Sequence, residues 1–191
     1  MSFFWRGVGF AIPIRIVKVR FPRVIIGGMA DPSRAQRLYQ RMTELGLRLA
    51  TAESCTGGLI GHKITNVPGS SNYYQGGVVS YSNDAKVWLL GVRPETLDRF
   101  GAVSRETMLE MAQGARSALE ADVGLSVSGI AGPDGGTAEK PVGLVWVGLS
   151  LEGMELAQSF QFEGDRGAIK EQAAEGALGF LLDHLALLDL G

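Results

Sequence analysis

Ser54 stands in the run Ala52-Glu53-Ser54-Cys55-Thr56-Gly57-Gly58, and Lys86 closes the run Tyr81-Ser82-Asn83-Asp84-Ala85-Lys86. A serine hydroxyl becomes a nucleophile when a base takes its proton. A lysine can be that base if desolvation or a nearby cation leaves its amine neutral. Gly57 and Gly58 remove β-carbon bulk, so a substrate could approach the backbone. Unpaired N–H groups and the positive end of a following helix would there stabilise an anion. The same residues have plainer uses: Ser54 or Asn83 as a helix cap, the glycines as tight packing, Lys86 as a solvated helix lysine. Cys55 is the competing nucleophile, but a cysteine usually borrows a histidine base. The only histidines, His62 and His184, both fall in segments that read as helix. A phosphate-binding P-loop is excluded because GxxxxGK followed by Ser or Thr is absent. The GxSxG elbow is excluded because Ser54 has no glycine two residues away on either side.

Two further clusters carry groups that handle anions. Ser128-Gly129-Ile130-Ala131-Gly132-Pro133-Asp134-Gly135-Gly136 has Gly or Pro at five of its nine positions. Such a loop either points successive N–H groups at a phosphate or carboxylate, or is only a flexible turn. In Gly164-Asp165-Arg166, Asp165 can cap the next helix, and Arg166 is either a surface charge or a fork for a phosphate.

These clusters sit at the ends of elements that the pattern predicts. Asp31-Pro32-Ser33 offers caps for a helix with Leu38, Met42 and Leu45 at helical spacing, ending at Gly46. Residues 47–52 read as a strand, 56–65 as a helix, 77–81 as a short strand and 83–90 as a helical turn. Ser104 caps a helix with the apolar stripe Met108, Met111, Ala112, Ala115 and Leu119. Residues 123–128 read as a strand and 129–141 as a loop. Residues 142–151 and 154–162 flank the hairpin signal Glu152-Gly153, and 166–188 form a closing helix. Strands alternating with helices imply an α/β sandwich around a mainly parallel sheet, and the hairpin adds one antiparallel pair, so the sheet is mixed.

The chain is 46% hydrophobic and 20% charged, with 27 Gly, 7 Pro and one Cys. A single Cys excludes a disulfide framework and fits a reducing, cytoplasmic compartment. His62 and His184 lie too far apart for zinc-ligand spacing, so no metal is expected. No apolar run reaches the roughly 18 residues of a membrane span. The net charge of −2 gives no general case for nucleic acid. That total hides an asymmetry. Residues 1–28 hold Arg6, Arg15, Lys18, Arg20 and Arg23 with no acid, leaving 13 basic and 20 acidic residues to the rest. Residues 1–30 therefore read as a basic extension, and 31–191 as one domain. Pro13, Arg15, Lys18, Arg20 and Pro22 interrupt every candidate signal-peptide core. The extension is expected to be loosely attached or disordered, or to reflect a start site set upstream of Met29. A membrane contact and a nucleic-acid arm are the remaining readings. From the residues alone, the reading ends at an α/β enzyme with a serine nucleophile and a small anionic substrate.

Taken together, TAESCTGG at 51–58, VPGSS at 67–71, YSNDAK at 81–86, GAVS at 101–104, SGIAGPDGG at 128–136, KPVG at 140–143 and GDR at 164–166 resemble the CinA C-terminal domain family. That family is also known as the PncC-type nicotinamide-nucleotide amidohydrolases. The similarity runs from about residue 33 to the C-terminus, and the basic extension lies outside it. The resemblance implies a three-layer α/β/α fold, often dimeric, without metal or organic cofactor, here in a stand-alone form. It implies hydrolysis of the carboxamide of nicotinamide mononucleotide to nicotinate mononucleotide and ammonia, in pyridine nucleotide recycling. By motif, Ser54 would be the nucleophile and Lys86 its base, with Tyr81 and Asn83 beside the lysine to help orient or protonate reacting groups, Tyr81 as a third catalytic residue. Thr56, Gly57 and the backbone after Ser54 would hold the substrate and its oxyanion. Ser128, Gly129 and Gly132 would line the nucleotide pocket, and Arg166 would bind the 5′-phosphate. The alternative is a non-catalytic nucleotide- or partner-binding module, since the family's names also refer to competence and DNA damage.

Overall fold

The structure is a computed structural model and describes residues 32–190. The basic extension at 1–30, with every expectation for it, lies outside the described residues. Helix α1 (Arg34–Leu45) begins where Ser33 Oγ accepts the Gln36 N–H and the Gln36 side chain accepts the Ser33 N–H. This reciprocal cap satisfies two donors that a helix start leaves unpaired. The helix ends at Gly46, whose φ of 65° is the left-handed conformation glycine adopts without steric cost.

Five strands form one sheet in the order β2-β1-β3-β4-β5. β1 (Leu49–Glu53) pairs in parallel with β2 (Tyr74–Val79) and with β3 (Val123–Gly129). β4 (Leu144–Leu151) runs antiparallel to β3 and to β5 (Met154–Gln161), which the Glu152-Gly153 turn joins to it. The sheet is mixed, and four of its five strands point the same way. It contains two antiparallel pairs rather than the one expected, because β4 pairs with β3 as well as with its hairpin partner.

Alternation along the strands divides the core into two layers. Leu49, Val123, Leu125 and Val127 face α1, α2 (Leu59–Thr65) and α6 (Arg166–Leu185), packing with Leu38, Met42, Ile60, Ile64, Leu178 and Leu181. Ala50 and Ala52 face the opposite layer, built from α3 (Asn83–Leu90), α4 (Pro94–Phe100) and α5 (Arg105–Ala118) around Leu90, Met108, Met111 and Ala115. Helix α5 lies unusually close to β3. A β-carbon on Gly124 would stand 2.0 Å from the Ala112 carbonyl oxygen, and Ser126 Oγ donates to the Met108 carbonyl at 2.7 Å. No helix among the described residues is long and apolar enough to cross a membrane.

Several boundaries differ from expectation; β1 runs from Leu49 to Glu53, β2 ends at Val79 and β4 starts at Leu144. β2 starts at Tyr74, not residue 77, and Gly76-Gly77 lies inside it. Thr51 Oγ1 and the Tyr74 hydroxyl occupy the space a side chain at 77 would need, so tertiary crowding put glycines where strand propensity wants branched residues. Helix α4 was not anticipated. Pro94 opens it, and Glu110 of α5 fastens its start by accepting the Arg93 N–H and the Thr96 hydroxyl. The helix after Ser54 begins at Leu59, not at residue 56, because the Glu53 carboxylate caps it across the intervening turn. The closing helix stops at Leu185 and continues as a 3-10 turn over Ala186–Leu190.

The fit of α5 on β3 makes a stability prediction. Gly124→Ala forces the helix off the sheet and costs about 2 kcal/mol. In a thermal melt this should lower the midpoint by roughly 5 °C. An unchanged midpoint would show that the α5–β3 spacing is not constrained as described.

Candidate active site

β1, β2 and β3 are parallel, so their carboxyl ends open on one edge of the sheet, the edge where open α/β sheets gather ligands. The Ser54 N–H donates to the Val127 carbonyl at 3.0 Å, and the Ser80 N–H donates to the Glu53 carbonyl at 2.9 Å. These two bonds tie the three strand ends together and hold Ser54 at their centre. A cavity of about 270 Å³ opens there, lined by Ser54, Cys55, Tyr81, Asn83, Lys86, Ala102, Val103, Ser128, Gly129, Ala131 and Arg166. β5 also points toward this edge, so α6 starts there and Arg166 enters the wall.

Lys86 is 1% exposed. Its Nζ lies 3.1 Å from Ser54 Oγ, 2.8 Å from the Ser80 carbonyl and 3.3 Å from the Tyr81 carbonyl. None of these partners is a carboxylate. Desolvation therefore dominates and pushes the Lys86 amine below the ordinary lysine range, against a smaller opposing effect of Cys55. The geometry suits the neutral form. A neutral amine keeps two N–H donors for the two carbonyls and turns its lone pair to the Ser54 hydroxyl, which then donates to it. Cys55 cannot hold the lysine proton as a thiolate at neutral pH, because burial pushes its thiol up to about 11. The same burial removes Cys55 as a competing nucleophile. His62 faces Asn66 at 3.0 Å, and His184 lies against the Phe180 carbonyl at 2.7 Å, so neither lines the cavity.

The turn after Ser54 is organised by a residue the sequence reading passed over. Glu53 Oε2 accepts the Thr56 hydroxyl at 2.7 Å, the Gly58 N–H at 2.9 Å and the Ile60 N–H at 3.1 Å. Its Oε1 accepts the Gly61 N–H at 2.8 Å. A carboxylate at the end of β1 thus caps α2, which delays the helix to Leu59. The helix donors are spent on Glu53 and are not offered to a substrate. The cue lay in the sequence as an acid just before Ser54 and glycines just after it. The Cys55 N–H takes no main-chain carbonyl among the described residues, and Cys55 lines the cavity next to Ser54.

The other expected site residues divide. Ser128, Gly129, Asn83 and Arg166 meet Ser54 and Lys86 around the cavity. Thr56 and Gly57 are not in its wall: the Thr56 hydroxyl is buried on Glu53, and Gly57 is exposed with a φ of 64°. Gly132 also lies behind the wall. Its carbonyl accepts from Arg166 Nη1 at 2.8 Å, and Val142 Cγ1 fills the space of a β-carbon. Tyr81 gives its carbonyl, not its ring, to Lys86. The ring is 63% exposed, and its hydroxyl accepts from Arg166 Nη2 at 3.2 Å. Ala102 and Val103, from the loop before α5, complete the wall. Among the described residues, no three His, Cys, Asp or Glu side chains gather as a metal site requires.

A family model described as the CinA C-terminal domain matches residues 31–185. A CinA-like protein of Kosmotoga olearia is 49% identical over 165 residues, covering 86% of this chain and 40% of that protein. A CinA-like protein of Leptospira borgpetersenii is 46% identical over 160 residues, covering 83% of this chain and 38% of that protein. The chain thus spans about two fifths of the length of these relatives. The crystal structure of competence/damage inducible protein CihA from Agrobacterium tumefaciens superposes with a TM-score of 0.76 at 45% identity, over 78% of this chain and 92% of that one.

A desolvated amine on a serine hydroxyl should make that serine reactive. A sulfonyl fluoride is expected to label Ser54 selectively, mapped by peptide mass spectrometry. Because the Lys86 pKa lies below that of a free lysine, the labelling rate should climb with pH and level off before the ordinary lysine range. Lys86→Met should remove the pH dependence and slow labelling at least tenfold. Labelling that moves to Cys55 or ignores residue 86 would contradict this site.

Proposed function

The chain belongs to the CinA C-terminal domain family, and on its Ser54–Lys86 pair we propose that it is a nicotinamide-nucleotide amidohydrolase. The observation that carries the reading is a buried lysine without a carboxylate partner, 3.1 Å from a serine at the carboxyl edge of the sheet. Neutral Lys86 takes the Ser54 proton, and Ser54 Oγ attacks the carboxamide carbon of nicotinamide mononucleotide. The oxyanion that forms meets the N–H group of Cys55, next to Ser54 in the cavity wall, a donor of this kind being worth about 3–4 kcal/mol in the transition state. The Lys86 ammonium then protonates the departing nitrogen, ammonia leaves, and a nicotinoyl ester remains on Ser54. Water, its proton taken by Lys86, hydrolyses the ester to nicotinate mononucleotide and restores the serine. The pyridinium cation draws electrons from the carbonyl, which favours the nucleotide over free nicotinamide.

Ser128 lines the cavity, and its hydroxyl makes no hydrogen bond to the protein among the described residues, which leaves it for the substrate. Arg166, held by Gly132 and Tyr81, receives the 5′-phosphate. The same reading includes a cytoplasmic setting, consistent with the single buried Cys55, and a homodimer. Trp88, 79% exposed beside Leu89 on α3, is the apolar surface a second copy would cover.

Purified protein should release ammonia from nicotinamide mononucleotide without added metal, and far more slowly from nicotinamide. Ser54→Ala should abolish release while leaving the thermal midpoint within about a degree, since it removes one oxygen at the cavity surface. Full turnover by Ser54→Ala would refute the mechanism. Nucleotide binding without turnover, tolerant of Lys86→Ala, would favour a binding module instead.

A further inference from the structure

Helix α6 carries a second cation toward the catalytic turn, one that neither the motifs nor the cavity wall account for. Lys170 lies one helical turn beyond Arg166, so the two side chains share a face. Its Nζ stands 3.7 Å from the point a β-carbon on Gly57 would occupy, over the turn that follows Ser54. Its charge is felt at Cys55, the residue next to the nucleophile. Lys170 is partly buried, yet it has no hydrogen bond or ion pair among the described residues. Acids are close along the same helix. Glu171 and Glu175 both pair with Lys63, the latter at 2.9 Å, and Arg34 also bonds Glu175 at 3.3 Å. Glu171 and Glu175 are thus paired with other cations, and Lys170, over the turn after Ser54, has no ion pair among the described residues.

Arg166 alone is poorly matched to a phosphate monoester. Part of its fork is already spent on the Gly132 carbonyl and the Tyr81 hydroxyl. A monoester carries a charge of about −1.5 to −2 at neutral pH, more than one cation neutralises. A lysine adds a mobile point charge with three free donors, complementary to the fixed fork of an arginine. We propose that Lys170 and Arg166 form a two-cation clamp for the phosphate, with Lys170 the residue that selects a phosphorylated substrate over its nucleoside. The clamp rests on the amidohydrolase reading for the position of the phosphate. Its test does not require turnover.

The full chain carrying Ser54→Ala is titrated calorimetrically with nicotinamide mononucleotide and with nicotinamide riboside. Adding Lys170→Gln should raise Kd for the mononucleotide about tenfold and leave the riboside within about twofold. Lys170→Arg should restore most of the loss. With Ser54 present, Lys170→Gln should raise KM for the mononucleotide and leave kcat within about twofold, as expected for a group bound equally in the ground and transition states. An unchanged mononucleotide Kd, equal weakening of both ligands, or no mononucleotide binding to begin with would overturn the clamp. Ammonia release without that selectivity would sink the clamp and spare the amidohydrolase. Selectivity without ammonia release would do the reverse.

Discussion

The placement of one amine governs this site. Lys86 is held out of water with two carbonyls and a serine hydroxyl as its neighbours, and with no carboxylate to stabilise its charge. An ammonium in such surroundings loses hydration that neutral dipoles only partly replace. Burial therefore shifts the amine toward its neutral form, and a neutral amine facing a hydroxyl can act as a general base. In the proposed mechanism, burial that would be a stability liability elsewhere becomes the source of reactivity. An Asp or Glu beside Lys86 would hold its proton and end that reactivity.

Keeping the amine in place requires order on both sides of the sheet. On one side α3 carries Lys86 inward from a helix capped by Ser82, whose Oγ accepts the Ala85 N–H at 3.1 Å. On the other, Glu53 draws the start of α2 onto itself with four hydrogen bonds and so shapes the turn that presents Ser54. Between them β3 uses Gly124 and Ser126 where α5 presses on the sheet, which lets Ser128 reach the cavity at the strand's end. The strand ends and helix starts around the cavity thus share one packing arrangement. A disturbance of the α5 spacing would reach Ser54 through β3 and the Ser54–Val127 bond.

Much of the frame was legible because its signals are local. The Ser33 cap, the Gly46 stop, the stripe from Met108 to Ala115 and the Glu152-Gly153 hairpin each follow from neighbouring residues. The start of β2 was not legible, since the crowding that demands Gly77 comes from Thr51 on the neighbouring strand and from the Tyr74 hydroxyl that bonds it. The start of α2 was misread because capping residues usually precede a helix directly, whereas Glu53 reaches it across a five-residue turn. The ring of Tyr81 was expected beside Lys86. The strand end turns it outward to Arg166 and leaves only its carbonyl for the lysine.

Residue types alone pointed to a serine nucleophile in need of a base other than histidine, and the motifs added Lys86 as that base. Motif order supplied the family. Distance along the chain carries no information on desolvation, hydrogen-bond partners or free donors, so those were decided only by folding. The parallel strands brought residues 54, 86 and 128 to one edge, and burial shifted the lysine and cysteine in opposite directions. The same packing turned Thr56 away and set Lys170 over the catalytic turn without a partner.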